Sequence, residues 1–265
     1  MKMTPNAAGL AADTSSSPAL VGRIASQDGR SQRSKPLMRK FEIAHLDPLT
    51  LDIHEATRLA PALPPFEDAF SAIGRGAILQ TDRGPCAIED LYPGDRVVTE
   101  SHGLQPLLWK GSITIVPGAQ NARPEMGTMT RVTAEALGLG RPSADLVLGP
   151  SARLCHKAPG VRTLTGSDAA FIPVRDFIDS CSIIELTPIA PVHCYQLGFA
   201  RHCRISVNGI EIESLHPGAP HALGLRQDMQ ALLMTLFPHM QSLSAFGTML
   251  HPRLRLRDLD LFDVA

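Results

Sequence analysis

The ten residues Ile88–Val97, IEDLYPGDRV, form the phrase that decides how the chain folds. Glu89–Leu91 favours a helical turn. Pro93–Asp95 favours a tight turn, because proline fixes φ and glycine accepts positive φ at little cost. The following Arg96–Thr99 is rich in β-branched residues and predicts a strand. The phrase therefore predicts a turn-and-strand unit inside a β domain.

Short strands separated by turn signals continue on both sides of this phrase. Upstream, residues 77–88 predict a hairpin that turns at Asp82–Gly84, and downstream Leu104–Val116 predicts one or two strands around Trp109. Further strands are predicted at residues 130–132, 145–148, 172–174, 182–186, 193–199 and 204–207, the last followed by a turn at Asn208–Gly209. Many short strands at close spacing predict an all-β fold, a barrel or a curved sandwich.

The residues before this β region predict a leader and a Pro-rich linker over 1–68. Met1 to Pro36 is rich in Ser, Ala, Gly and Gln and is expected to be disordered. Phe41–Ala60 favours either a short helix or an edge contact. The prolines of residues 61–65 stop any helix and act as a stiff spacer.

The β domain is expected over residues 69–217, followed by a C-terminal extension, 218–265, that packs on it. Asp228–Phe237 has helical periodicity and predicts a short helix in this extension. The alternating Arg253–Arg257 predicts a late strand.

Composition excludes several classes of function. A formal net charge of -1 and a pI of about 6.8 argue against nucleic acid or an anionic membrane as partner. No stretch approaches the roughly 20 apolar residues of a membrane span, and no apolar run follows the first lysine as in a signal peptide. The sequence thus predicts a cytoplasmic protein, or one secreted by a route without an N-terminal signal peptide.

The five cysteines are an odd number and include no CxxC pair. Structural zinc sites and redox dithiols need paired thiolates. The prediction is therefore reduced thiols, with no metal site and no cofactor.

Four phrases, in order, resemble the Hint (hedgehog/intein) domain family, in its bacterial stand-alone branch. Ile88–Val97 is similar to its E-D-L-x-P-G-D-x-V phrase, and Gln105–Gly111 to the next, in which Pro and Trp flank an apolar pair. Ala136–Pro150 resembles the approach to the family's histidine block, and Leu197–Ser214 resembles its last strands. The resemblance implies a Hint-type curved β-fold and a family activity of autocatalytic peptide cleavage or splicing.

The resemblance also implies where that chemistry would lie, and both positions are alanine. The family's nucleophilic Cys or Ser stands about four residues before the glycine that opens the first strand, and counting from Gly76 gives Ala72. The family's T-x-x-H histidine follows the Asp145 strand, and its place is taken by Ala152. Two other T-x-x-H matches, ending at His102 and His251, are attributed to chance.

Two weaker candidates remain. His202 is either an acid–base histidine near the first residue of the domain or a core histidine satisfied by the backbone. Ser71 adjoins the lost position and would supply a nucleophile if the alignment slipped by one residue. Splicing also needs a terminal Asn followed by Ser, Thr or Cys, whereas Asn6, Asn121 and Asn208 precede Ala, Ala and Gly.

The preferred hypothesis is a degenerate Hint domain, without self-splicing or self-cleavage, that acts as a scaffold or binding module for an unknown protein partner. The alternative is active autoprocessing by an N-to-O acyl shift at Ser71 with His202, which would release the first roughly 70 residues. A third hypothesis, from another class, is an adaptor that carries the leader to a secreted or surface partner.

Overall fold

The fold consists of two antiparallel sheets, and their strands match most of the predicted ones. A computed structural model describes residues 37–120 and 122–259. The predicted disordered segment Met1 to Pro36 lies outside the described residues. The described strands are β1 Met38–Leu46, β2 Ile53–Pro61, β3 Ile73–Gly74, β4 Ile78–Thr81, β5 Gly84–Ala87, β6 Arg96–Thr99, β7 Gly103–Pro106, β8 Trp109–Ile115, β9 Met129–Val132, β10 Leu146–Leu148, β11 Arg153–His156, β12 Ala170–Pro173, β13 Ile183–Leu186, β14 Val192–Gly198, β15 Arg204–Val207 and β16 Ile210–Glu213.

Helices are few and short. The described α-helices are α1 Pro64–Glu67, α2 Pro159–Thr165 and α3 Gln227–Met234, and the last of these fulfils the helical periodicity predicted for the C-terminal extension. The all-β class with a short helical C-terminal part is confirmed. Among the described residues, no helix is long and apolar enough to cross a membrane.

Each sheet combines strands that are far apart in the sequence. The first sheet has the order β13-β9-β10-β3-β14-β8-β1-β2, and the second has the order β12-β11-β16-β15-β4-β6-β7, with β5 paired to β4. Strand β3 thus lies between β10 and β14, through the pairs Ile73 with Leu148 and Ile73 with Tyr195. This placement brings the start of the domain beside segments that follow it by more than 70 residues.

The phrase Ile88–Val97 folds as the sequence predicts. A 3-10 turn covers Ile88–Asp90, and the next turn closes with the Asp95 N–H donating to the Tyr92 carbonyl at 3.0 Å. Gly94 has φ +98°, which favours glycine. The Lys110 ammonium donates to the carbonyls of Glu89 at 2.6 Å and Leu91 at 2.7 Å, so β8 holds this loop in place.

Residues 38–61, expected within the leader and linker, instead form a β-hairpin, and the predicted helix alternative is wrong. The hairpin extends the first sheet, because β1 pairs with β8 from Phe41 with Ile113 to His45 with Trp109. Phe41 and Ile43 are buried by this pairing. The hairpin lies at the sheet edge, as the edge-contact alternative proposed.

Three apolar clusters lie within the described residues, and the two larger ones join most of the strands. The inter-sheet core lies between the sheets and includes Ile73, Leu148 and Leu197 from the first and Leu79 and Ile205 from the second. The aromatic core lies on the hairpin and the C-terminal residues, and its members include Phe41, Phe66, Phe70, Trp109, Leu233, Leu236, Phe237 and Phe246.

The strand predicted at Arg253–Arg257 is wrong. Arg253 makes an isolated parallel bridge with Phe171, and Leu256–Asp258 forms a 3-10 turn. The alternating arginines are explained by ion pairs instead, since Arg253 bonds Glu213 and Arg255 bonds Asp176.

Candidate functional site

The segments that carry the two alanine positions, Ala72 and Ala152, lie beside each other. The Gly149 N–H donates to the Ala72 carbonyl at 2.7 Å, and the Ser151 N–H donates to the Ser71 carbonyl at 3.1 Å. Ala72 and Ala152 are each 1% exposed and belong to the inter-sheet core. The sheets therefore bring the two segments together, and both positions present methyl groups.

Gly149 permits this close approach. A Cβ atom at this position would collide with the carbonyl of Ser71 and would lie 3.0 Å from Cys194 Sγ. No larger residue fits between β10 and the backbone before β3 without moving one of them. The contact of Gly149 with the Ser71 carbonyl therefore limits how closely the end of β10 and the residues before β3 can pack.

Ser71 is fully buried and bonded to another serine. Its hydroxyl donates to Ser151 Oγ at 3.1 Å. A serine becomes a nucleophile when an adjacent base takes its proton, and a second hydroxyl is not such a base. The contact fixes the Ser71 side chain without activating it.

His202 is held by the backbone of the C-terminal extension. The Leu250 N–H donates to its Nδ1 at 3.0 Å, which leaves the ring proton of the neutral form on Nε2. That Nε2 lies 3.2 Å from Glu213 Oε1 but is poorly aligned for a hydrogen bond. In the described part of the chain, no hydrogen bond or ring contact joins His202 to Ser71. The structure does not bring the alternative pair into contact.

Glu213 is the centre of a buried charge cluster. Arg253 Nε donates to its two oxygens at 2.9 and 3.2 Å, and Arg153 Nη1 approaches at 3.4 Å. Burial alone would raise the pKa of Glu213, but Arg253, His202 and Arg153 outweigh it and hold this pKa at about 2. Glu213 is therefore ionised at neutral pH.

The same cluster ties the extension to the end of the domain. Arg253 Nη2 also donates to the His216 carbonyl at 2.6 Å, and His216 Nδ1 accepts from the Gly218 N–H at 3.0 Å. Burial, with the neighbouring His202, lowers the pKa of His216 to about 4, so its ring is neutral at pH 7. A cavity of about 470 Å³ opens beside Glu213, between the segment 63–69 and residues 213–225.

The reasoning from sequence missed this cluster and the contact of Ser71 with Ser151. Glu213 lies near the end of the phrase Leu197–Ser214, and Arg153 follows Ala152. Both residues therefore lie in or next to segments that the sequence analysis had already selected. Arg253 lies 40 residues after Glu213, and no local pattern connects the two.

The cysteines offer no substitute nucleophile at the site. All five are free thiols, and burial raises the pKa of Cys194 to about 12 and that of Cys203 to about 11. These two stay protonated at neutral pH, whereas the nucleophilic form is the thiolate. Among the described residues, no group of three His, Cys, Asp or Glu side chains is placed to hold a metal ion.

Comparisons with known proteins identify a family and similar solved structures. The Hint domain family model matches residues 72–219. Among solved structures, a bacterial intein-like domain from Clostridium thermocellum is 14% identical, with a TM-score of 0.34 over 55% of this chain and 99% of that one. The AceL NrdHF class 3 split intein, in a GSH-linked splice-inactive variant, is 11% identical, with a TM-score of 0.38 over 54% of this chain and 97% of that one. No curated protein matches.

The family match begins at Ala72, the position reached by counting back from Gly76, and ends two residues beyond the domain boundary expected at 217. It spans more than half of the chain, which therefore belongs to the Hint domain family.

Proposed function

We propose that this chain is a degenerate Hint domain that neither splices nor cleaves itself and that serves as a scaffold or binding module. The observation that carries the proposal is the junction of Ala72 with Gly149–Ala152. Two backbone hydrogen bonds align the segments, yet the side chains at the expected nucleophile and histidine positions are methyl groups. An acyl shift needs a nucleophile at the first position, and alanine supplies none.

The alternative activity, with Ser71 and His202, has less support. The Ser71 hydroxyl is buried against Ser151, and His202 is bound to the Leu250 N–H and lies beside Glu213. General-base catalysis needs the base within hydrogen-bond reach of the proton it removes, and no such contact joins the two in the described residues. Binding is supported by the cavity beside Glu213, which combines apolar walls with charged groups.

Intact mass spectrometry of the full chain tests the proposal. We expect the purified protein to keep its full mass through days of incubation with dithiothreitol or hydroxylamine, which would release an ester or thioester at the start of the domain. Ser71→Ala serves as the matched control and should behave identically. A pair of fragments split near residue 71 in the parent chain, and absent from Ser71→Ala, would overturn the proposal in favour of the alternative.

A further inference from the structure

A second cavity, of about 210 Å³, lies beside the contact of Ser71 with Ser151. We infer that this cavity binds an oxyanion, a carboxylate or a phosphate, through the guanidinium groups of Arg153 and Arg175 and the hydroxyl of Ser151. The inference goes beyond the proposed function and does not depend on whether the chain cleaves itself.

The lining of the cavity carries an excess of positive charge. Four arginines and two carboxylates line it: Arg123, Arg153, Arg175, Arg255, Asp68 and Glu125. The formal charge of the lining is therefore four positive against two negative. A half-buried wall with this excess attracts an anion more strongly than an open surface does, because the low-dielectric surroundings screen less.

Two of the four arginines are already bonded to carboxylates. Arg123 donates to Glu67 at 2.9 Å and to Asp68 at 2.6 Å. Arg255 donates to both oxygens of Asp176, each at 2.7 Å. These pairs form the walls of the cavity and have little capacity for a further anion.

Arg175 is the guanidinium with the most unused donors. It donates to the Pro150 carbonyl, and no carboxylate lies within ion-pair distance of it among the described residues. Its nearest opposite charges, Glu125 and Asp68, act on it at longer range, while burial lowers its pKa. A half-buried cation with one neutral partner gains most from an added anion.

Arg153 has a carboxylate partner that it shares. Its Nη1 lies 3.4 Å from Glu213 Oε2, whereas Arg253 takes the same carboxylate at 2.9 Å. The single negative charge of Glu213 thus pairs with two guanidinium groups, and the contact with Arg153 is the longer of the two. Arg153 lines the cavity together with Ser151 and Arg175, and its Nη1 also donates to the Ser151 carbonyl at 3.4 Å.

The Ser151 hydroxyl supplies a neutral hydrogen-bond donor in the same cavity. Ser151 Oγ accepts the hydroxyl proton of Ser71, so its own proton is free to be donated to another acceptor. An oxyanion in the cavity provides that acceptor. Two guanidinium forks and one hydroxyl are a donor set suited to carboxylate and phosphate oxygens.

The ligand could come from two sources with this chemistry, a free phosphate or the C-terminal carboxylate of a peptide. We would titrate the full chain with inorganic phosphate by calorimetry at constant ionic strength. A second arm would use acetyl-Gly-Gly-Ala with a free and with an amidated C-terminus. Binding of phosphate alone would identify a free anion, and binding of the free-acid peptide but not the amide would identify a terminal carboxylate.

Variants test whether this cavity is responsible. Arg175→Ala should weaken binding by at least about tenfold, since a hydrogen bond to a charged group contributes about 1.5–3 kcal/mol. Ser151→Ala should weaken it several-fold and removes only one hydroxyl. The control Arg226→Ala removes an exposed arginine that pairs with Asp228 and should bind like the parent chain. The inference is overturned if the parent chain binds neither ligand, or if a folded Arg175→Ala and Ser151→Ala both bind as it does.

Discussion

At the junction of Ala72 with Gly149–Ala152, backbone hydrogen bonds hold the two segments together, and the side chains of both alanines end at Cβ. The contacts that position this backbone are made by the Ser71 and Ala72 carbonyls and by the N–H groups of Gly149 and Ser151. These are backbone groups, so they do not depend on the side chains at positions 72 and 152, whereas position 149 has room only for glycine. Under the proposed function, the absence of a nucleophile and a histidine at these positions leaves the two hydrogen bonds of the junction unaffected.

The double variant Ala72→Cys with Ala152→His tests the assignment of both positions. If the alignment is right, the pair should regain thiol-induced cleavage before residue 72, which intact mass would detect. We expect partial recovery, because a catalytic pair misplaced by about 1 Å loses much of its rate. Each single variant is the control and should remain whole.

A double variant that folds by circular dichroism but stays at full mass would remove the main support for this assignment. Both positions are buried in the inter-sheet core, so the added volume should also cost about 1–3 kcal/mol of stability.

Glu213 gives the protein a pH dependence in the acid range. Its pKa falls from an ordinary 4.5 to about 2 on folding, so the ionised form stabilises the folded state. The contribution is fully present above about pH 5 and is lost as the pH falls through 4.5 towards 2. A lowering of this size corresponds to about 3 kcal/mol.

Glu213→Gln should destabilise the protein by about 3–5 kcal/mol at pH 7, because it leaves Arg153 and Arg253 buried without their carboxylate. Urea denaturation at pH 7 and at pH 3 should show the difference from the parent chain shrinking at the lower pH. The exposed Glu185→Gln is the control and should change little at either pH. An equal loss at both pH values would contradict this role for the carboxylate.

At the scale of single residues, the sequence was informative where positions could be counted along the chain. The turn at Asn208–Gly209 was predicted from its turn chemistry, and the positive φ angles of +48° and +85° confirm it. The assignment of Ala72 by its spacing from Gly76 stays a prediction. Glu213 was within a recognised phrase, but its charge partner Arg253 comes from the extension. A buried ion pair between distant segments has no local signature, so it needed the structure.

Among the secondary-structure elements, the hairpin of β1 and β2 is one that the sequence obscured. Strand β1 alternates charged residues with Phe41 and Ile43, but β2 buries little and has a mixed polar pattern. The hairpin is stabilised by the pairing of β1 with β8 and by the packing of Phe41 on Phe70. The ring centroids of these two residues lie 4.8 Å apart. Such tertiary contacts override a weak local pattern.

Phe41→Ala should therefore destabilise the protein by about 3–5 kcal/mol, as expected for a buried aromatic residue. Leu59→Ala, on the neighbouring strand, is the matched control: this side chain is 67% exposed, so the change should stay within about 0.5 kcal/mol. Urea denaturation of both variants measures the difference. Similar small effects would mean that the hairpin contributes little to the fold.

In the whole molecule, the hairpin and the C-terminal extension enclose one aromatic core. Trp109 lies at its centre, fully buried, and its Nε1 donates to the Leu236 carbonyl at 2.9 Å. Phe237 from the extension and Phe70 from before β3 contact the same indole, at centroid distances of 5.5 and 5.1 Å. The residues beyond the family match thus complete the core of the domain.

This arrangement predicts that the chain cannot be cut back to its family-matched part without loss of structure. A chain ending at Ala219, where the family match ends, would lose Phe237 and the Leu236 carbonyl, and it would expose apolar surface around Trp109 to water. Because Trp109 is the sole tryptophan, its fluorescence reports on this site alone. We expect emission to shift to longer wavelength on truncation, with a lower unfolding temperature or aggregation.

Phe237→Ala in the full chain should show a milder shift of the same sign, and Leu164→Ala, an exposed residue of α2, should show none. The truncated chain and Phe237→Ala separate two effects, since the point variant keeps the hydrogen bond from Trp109 to the Leu236 carbonyl. If the truncated chain retained both the emission maximum and the unfolding temperature of the full chain, the extension would be dispensable. The aromatic core would then be held by the hairpin and Phe70 alone.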